Sequence, residues 1–232
     1  EGQGVKVCVA LDLPSKDDNL AVLREISDFD VWIKVGFRSY IRDGKSFLDD
    51  IKSINPNFKI FLDLKLYDIP NTMADAAEEI AALGVDMFNV HASAGKKAMK
   101  EVMDRLSPLP SRPLVLAVTA LTSFDEDGFT AVYGTDINTK AAQFARDAHE
   151  AGLDGVVCSA HESELIKSAT SDSFSTLCPG IRDVSDEKGD QQRVVDVVSA
   201  KAMKVDFAVI GRPIYKSQNP KETLQNILNK IG

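Results

Sequence analysis

Little in this chain of 232 residues is set aside for covalent or metal-based stabilisation: it has three cysteines, three histidines and one tryptophan. Cys8, Cys158 and Cys178 are odd in number, far apart in sequence and mostly set among apolar neighbours. That argues against a disulfide framework or a zinc site and for reduced, buried thiols. His149 and His161 fall in helical stretches without ligand partners at metal spacing, while His91 reads as the inward end of a strand. No apolar run approaches the roughly 20 residues that cross a bilayer, and no segment has the pattern of a signal peptide, so a cytoplasmic location is expected. Positive charge is also scarce. Lys and Arg number 27 against 35 Asp and Glu, a net charge of −8, which speaks against a broad nucleic-acid or anionic-membrane footprint. An anionic small molecule requires a local basic cluster within this acidic protein.

What is present is a repeated strand-then-helix pattern. Apolar runs predict strands near Val5–Asp12, Val31–Gly36, Phe58–Lys65, Val85–His91, Leu114–Ala120, Leu153–Ser159, Phe174–Cys178 and Val205–Gly211. Each is followed by a stretch able to form a helix, such as Thr139–Ala151 and Pro220–Ile231. Eight such units over 1–232, with no linker or low-complexity tract, predict an α/β fold of the (β/α)8 TIM-barrel type in a single domain. A doubly wound open sheet is the alternative, and it has the weaker claim because no glycine-rich dinucleotide fingerprint follows the first strand.

Strand parity sharpens the reading, since successive side chains face opposite sides. Val7, Val9 and Leu11 share one side, and Lys6, Cys8, Ala10 and Asp12 share the other. Ile33 and Val35 likewise oppose Lys34 and Gly36, and Leu62 and Leu64 oppose Asp63 and Lys65. The charged members therefore point into the barrel. Asp12, Lys34, Asp63 and Lys65 also fall toward the C-terminal ends of their strands, where barrel enzymes carry their active sites. One reading makes them an inward salt-bridge network that merely fills the barrel. Burying several charges at one mouth is costly, however, and such arrangements cluster where they are used.

The densest segment, Asp63-Leu64-Lys65-Leu66-Tyr67-Asp68-Ile69-Pro70-Asn71-Thr72, resembles the signature of orotidine 5'-monophosphate decarboxylases, particularly the short bacterial-type family. The similarity extends over essentially the whole chain. It includes Ala10-Leu11-Asp12, Lys34-Val35-Gly36, Leu121-Thr122-Ser123, Pro179-Gly180-Ile181-Arg182, Gly189-Asp190-Gln191 and Gly211-Arg212-Pro213-Ile214.

This resemblance implies a lyase that needs no cofactor and no metal and converts orotidine monophosphate to uridine monophosphate and carbon dioxide. It implies Lys65 as proton donor to C6 of the pyrimidine, Asp63 facing the departing carboxylate, and Lys34 and Asp68 completing an alternating charge network. Asp12 and Lys34 are implied to reach ribose hydroxyls. The residues matching Asp68, Ile69 and Thr72 are implied to enter the site of a partner subunit, giving a homodimer. Arg182, Gln191, Gly211 and Arg212 lie in the loops after the seventh and eighth strands, where barrels often bind phosphate. With Lys34 and Lys65, the two arginines supply the required basic cluster. Thr122 or Ser123 is suited to the pyrimidine edge, and the long stretch from Thr122 to Asn138 reads as either a lid or a surface loop. The nearest rivals are a magnesium-dependent sugar-phosphate barrel enzyme with a similar Asp-x-Lys-x-x-Asp pattern, and a catalytically silent phosphate-binding barrel.

Overall fold

Eight parallel strands close on themselves in the order β1-β10-β7-β6-β5-β4-β3-β2. They are β1 (Lys6–Ala10), β2 (Trp32–Val35), β3 (Lys59–Leu66), β4 (Met87–His91), β5 (Leu114–Val118), β6 (Gly155–Val157), β7 (Ser175–Cys178) and β10 (Phe207–Ile210). The computed structural model describes residues 4–182 and 195–232. Helices α1 (Lys16–Glu25), α2 (Phe37–Ile54), α3 (Pro70–Ala82), α4 (Lys96–Leu106), α6 (Ile137–Glu150), α7 (Ser163–Ala169), α8 (Val197–Ala202) and α10 (Pro220–Ile231) form the outer layer. The (β/α)8 expectation is met. Each predicted strand is present with slightly trimmed ends, as alternation extends into the turns that pairing leaves out.

Parity also holds. Val7, Val9, Leu11, Ile33, Val35, Ile60 and Leu62 pack with the helices in the large outer core. Cys8, Ala10, Trp32, Phe61, Met87, Leu116 and Phe207 fill the barrel interior. The Trp32 and Phe207 rings meet edge to face at 5.2 Å, with Lys59 over the Trp32 ring and Lys6 over the Phe207 ring. Gly155 is required where β6 meets β7, since a Cβ there would lie 2.2 Å from the Ser175 carbonyl oxygen. All three cysteines are buried and in no disulfide. Cys158 and Cys178, though distant in sequence, bring their sulfurs within 3.8 Å on neighbouring strands.

The N-terminal end of the barrel is laced by one device used three times. A residue in the left-handed region, Gly84, Gly152 or Lys204, ends the preceding helix. Two residues on come Asp86, Asp154 and Asp206. Each carboxylate accepts a backbone N–H from the neighbouring strand, at 2.8 Å from Ile60, Val115 and Thr176 respectively. Each also pairs with one cation: Lys52 at 3.1 Å, Arg112 at 2.7 Å and Lys167 at 2.7 Å.

Two elements were not anticipated. A short pair, β8 (Ile181–Arg182) with β9 (Val195–Asp196), follows the seventh barrel strand. The stretch read as a lid or open loop holds a helix, α5 (Glu126–Tyr133), capped by the Asp125 side chain. Phe129, Ala120 and Ile137 give that segment a small buried core, and Tyr133 OH lies 3.0 Å from Ser93 Oγ. The acidic tint of the segment hid its aromatic anchors from a composition reading.

Candidate active site

β3 positions the centre of the site and departs from regular pairing where it does so. Phe61 pairs with Met87 and Leu62 with Phe88, and the next pair is Leu66 with Val90. Asp63, Leu64 and Lys65 therefore lie across from Asn89 alone. Lys65 has φ 50, a left-handed conformation that side chains other than glycine adopt at a cost and that concentrates at functional positions.

Asp63 is the hub. Its carboxylate, 7 % exposed, accepts from Lys34 Nζ at 3.2 Å on Oδ2 and from Lys65 Nζ at 2.8 Å on Oδ1. Burial alone pushes the Asp63 carboxyl up, yet the Lys34 and Lys65 ammoniums hold it below the usual carboxylate range. Burial likewise pulls Lys34 down, but Asp63 and then Asp12 outweigh it and leave the Lys34 ammonium harder to deprotonate than usual. Asp63 and Lys34 are thus both charged at neutral pH, as opposite charges at this distance dictate. Asp12 approaches from the rim: a Cβ on Gly36 would lie 3.5 Å from Lys34 Nζ and 3.6 Å from Asp12 Oδ1.

These groups open into a cavity of about 340 Å³ at the C-terminal mouth. One side is apolar, with Val118, Val157, Leu177 and Val209. Thr122 and Ser123 line it after β5, and Arg182, Gly211 and Arg212 line it beyond β7 and β10. Arg182 Nε is buried with no hydrogen-bond partner among the described residues, a donor whose cost is relieved by an acceptor entering the site. Arg212 opens a one-turn helix, α9 (Arg212–Tyr215), which intervenes before the last helix. Tyr215 lines the same mouth.

The fold does not bring every expected residue here. Asp68, Ile69 and Thr72 are exposed and outside the cavity, and the Asp68 carboxylate accepts from the Ile69 N–H at 2.7 Å. Within one chain the four-membered network is three-membered: Lys34, Asp63 and Lys65. Gln191, with Gly189 and Asp190, lies outside the described residues. His91 ends β4 near Lys65, outside the cavity lining. Its ring stacks on Tyr67 at 5.7 Å, and burial, then the nearby Lys65 charge, depresses its pKa so that it stays neutral. His149 is packed edge-on against Phe174.

Asn89 was overlooked. It is 1 % exposed, its Oδ1 accepts from the Lys65 backbone N–H at 2.9 Å, and its Nδ2 donates to Asp63 Oδ1 at 2.9 Å. The available signal was an amide on the inward parity of the fourth strand, beside the strand that carries the charges.

Comparison with known proteins gives a consistent result. Residues 5–227 match the sequence profile described as "Orotidine 5'-phosphate decarboxylase / HUMPS family". The orotidine 5'-phosphate decarboxylase of Sulfurimonas denitrificans is 66% identical over 227 residues, covering 98% of this chain and 100% of that protein. The enzyme of that name from Nitratiruptor sp. is 62% identical with the same coverage. Among solved structures, orotidine 5'-phosphate decarboxylase from Lactobacillus acidophilus superposes with a TM-score of 0.84 at 31% identity, covering 97% of this chain and 98% of that one.

Proposed function

Because the chain belongs to the orotidine 5'-phosphate decarboxylase / HUMPS family, we propose that it decarboxylates orotidine 5'-monophosphate to uridine 5'-monophosphate in de novo pyrimidine synthesis. One catalytic domain, 1–232, carries the activity. The observation that supports this most is the double pairing of buried Asp63 with Lys34 and Lys65 at the cavity floor.

In the proposed reaction the bond from C6 to the carboxylate breaks, carbon dioxide leaves, and the electron pair stays on C6. Lys65 donates its ammonium proton to that carbon and is reprotonated from solvent. Its positive charge also stabilises the developing carbanion, where preorganised charge acts most strongly. Asp63 faces the departing carboxylate and fixes both lysines. Asp12 and Lys34 hold the ribose hydroxyls, and Thr122 and Ser123 meet the pyrimidine edge. Arg182, Gln191, Gly211 and Arg212 take the phosphate, consistent with an Arg182 Nε that has no hydrogen-bond partner among the described residues. Grip on this remote group contributes to the chemical step as well as to binding.

Asp68, Ile69 and Thr72 act in the site of a second copy, so the working form is a homodimer. The exposed Tyr67 and Ile69 beside them suit burial against that copy. Among the described residues no helix is long and apolar enough to cross a membrane. The location proposed is cytoplasmic, with neither nucleic acid nor membrane as a partner.

The test is incubation of the purified protein, after exhaustive chelation, with orotidine monophosphate while its ultraviolet absorbance is followed. Loss of the substrate band at an undiminished rate supports the reading. No turnover with orotidine monophosphate, or turnover only with added magnesium, overturns it in favour of a silent barrel or a sugar-phosphate enzyme.

A further inference from the structure

The irregular stretch of β3 is held open by a single side chain. Three residues of β3 face one of β4, so the strand-to-strand ladder has no rung between Leu62/Phe88 and Leu66/Val90. The Asn89 carboxamide occupies that gap. Its oxygen takes the Lys65 N–H that a strand carbonyl takes in a regular sheet, and its nitrogen binds the Asp63 oxygen that also receives the Lys65 ammonium. One planar group thus fixes both ends of the Asp63-to-Lys65 segment, and it is buried.

We infer that Asn89 is a positioning residue for the proton transfer: it stabilises the left-handed turn at Lys65 and orients Asp63, and so aims the Lys65 ammonium at the reacting carbon. A carboxamide suits the position because it carries an acceptor and a donor without charge. Leucine would fill the space and leave the Lys65 N–H and an Asp63 lone pair without partners. Aspartate would supply the acceptor and repel Asp63. The inference rests on the decarboxylase reading of the site and adds a residue to it.

Two variants separate its roles. Asn89→Ala removes both hydrogen bonds. Its kcat should fall about 100-fold, the scale of roughly 1 Å of misplacement at a reacting group, with KM and affinity for uridine monophosphate within about threefold, because the phosphate and ribose contacts are untouched. Asn89→Asp has nearly the same shape and keeps the acceptor for Lys65, but sets a second carboxylate against Asp63. Two such groups share a proton as pH falls, and the shared proton restores a donor to Asp63. The Lys34 and Lys65 ammoniums oppose that protonation, so the kcat of Asn89→Asp relative to wild type should rise, by about tenfold, only on the acid side of neutrality, whereas the Asn89→Ala ratio stays flat. A purely structural role would lower both variants without that pH signature. If Asn89→Ala does not fold, the Asn89→Asp profile decides alone. A flat Asn89→Asp ratio, or Asn89→Ala with kcat within about threefold of an active wild type, overturns the inference and leaves the decarboxylase reading standing. An inert wild type overturns both.

Discussion

At the N-terminal end of the barrel Asp86, Asp154 and Asp206 each accept from one cation and one backbone N–H. At the C-terminal end Asp63 accepts from two ammonium groups and a side-chain amide, and from no backbone N–H among the described residues. The first arrangement is self-contained: charges cancel pairwise and every acceptor stitches one strand to the next. The second centres two ammoniums on one carboxylate, with Asp12 beside Lys34, at a cavity that also gathers Arg182 and Arg212. Residue type therefore does not separate a structural ion pair from a functional one. Stoichiometry and the presence of backbone partners do.

The most forceful way to break this contrast is Lys65→Ala. Turnover should fall by about 1000-fold or more, while the melting temperature stays within about 4 °C and uridine monophosphate still binds by calorimetry. Near-normal turnover would mean that the proton comes from elsewhere. A second perturbation asks whether the upper site is complete in one chain. Mixed Lys65→Ala and Asp68→Ala chains, each inactive alone, should recover about a quarter of wild-type activity through hybrid two-fold dimers. No recovery after verified subunit exchange would remove Asp68 from the shared site.

The opposite end should answer in stability instead. Asp206→Ala removes the counter-charge of the buried Lys167 ammonium, leaving it the Asp172 and Phe174 carbonyls, and removes the acceptor of the Thr176 N–H. It should cost roughly 3 kcal/mol in urea unfolding and leave kcat unchanged, because that end is remote from the chemistry. A loss of activity in the folded variant would erase the distinction between the ends. The smallest expected effect is in pH. Asp63 titrates below its ordinary value of 3.8, so its contribution to stability is complete above that pH and lost as pH falls through the depressed value. Lys34 titrates above 10.5, so its contribution is complete below that pH and lost only as pH rises through the raised value. Urea unfolding of wild type and Asp63→Asn should thus differ at neutral pH and draw together only as pH falls below 3.8 through the depressed value.

Most of the architecture was legible because a barrel strand writes its two faces as alternation: Val9 and Leu11 outward, Ala10 and Asp12 inward. The same parity places Lys34, Asp63 and Lys65 inward from the sequence alone. Three things escaped it. Asn89 is polar but uncharged, and its meaning lies in a register shift that no single strand records. The Asp86, Asp154 and Asp206 device repeats only as a left-handed residue, an apolar residue and Asp, a pattern too short to stand out. α5 is held by Phe129 and Tyr133 meeting Phe124 and Phe144, contacts that join residues from separate segments. Asp68 is assigned by resemblance to the network of a partner subunit, and within one chain it lies exposed outside the cavity.

The three-against-one stretch also bears on how this barrel could be re-engineered. Excising two residues between Leu62 and Leu66 would let β3 and β4 zip without interruption, and any score that rewards ladder regularity would favour the shortened sequence. That chain would be the tidier scaffold and would have forfeited its chemistry, because the surplus length of a single strand is what lifts one lysine out of the weave.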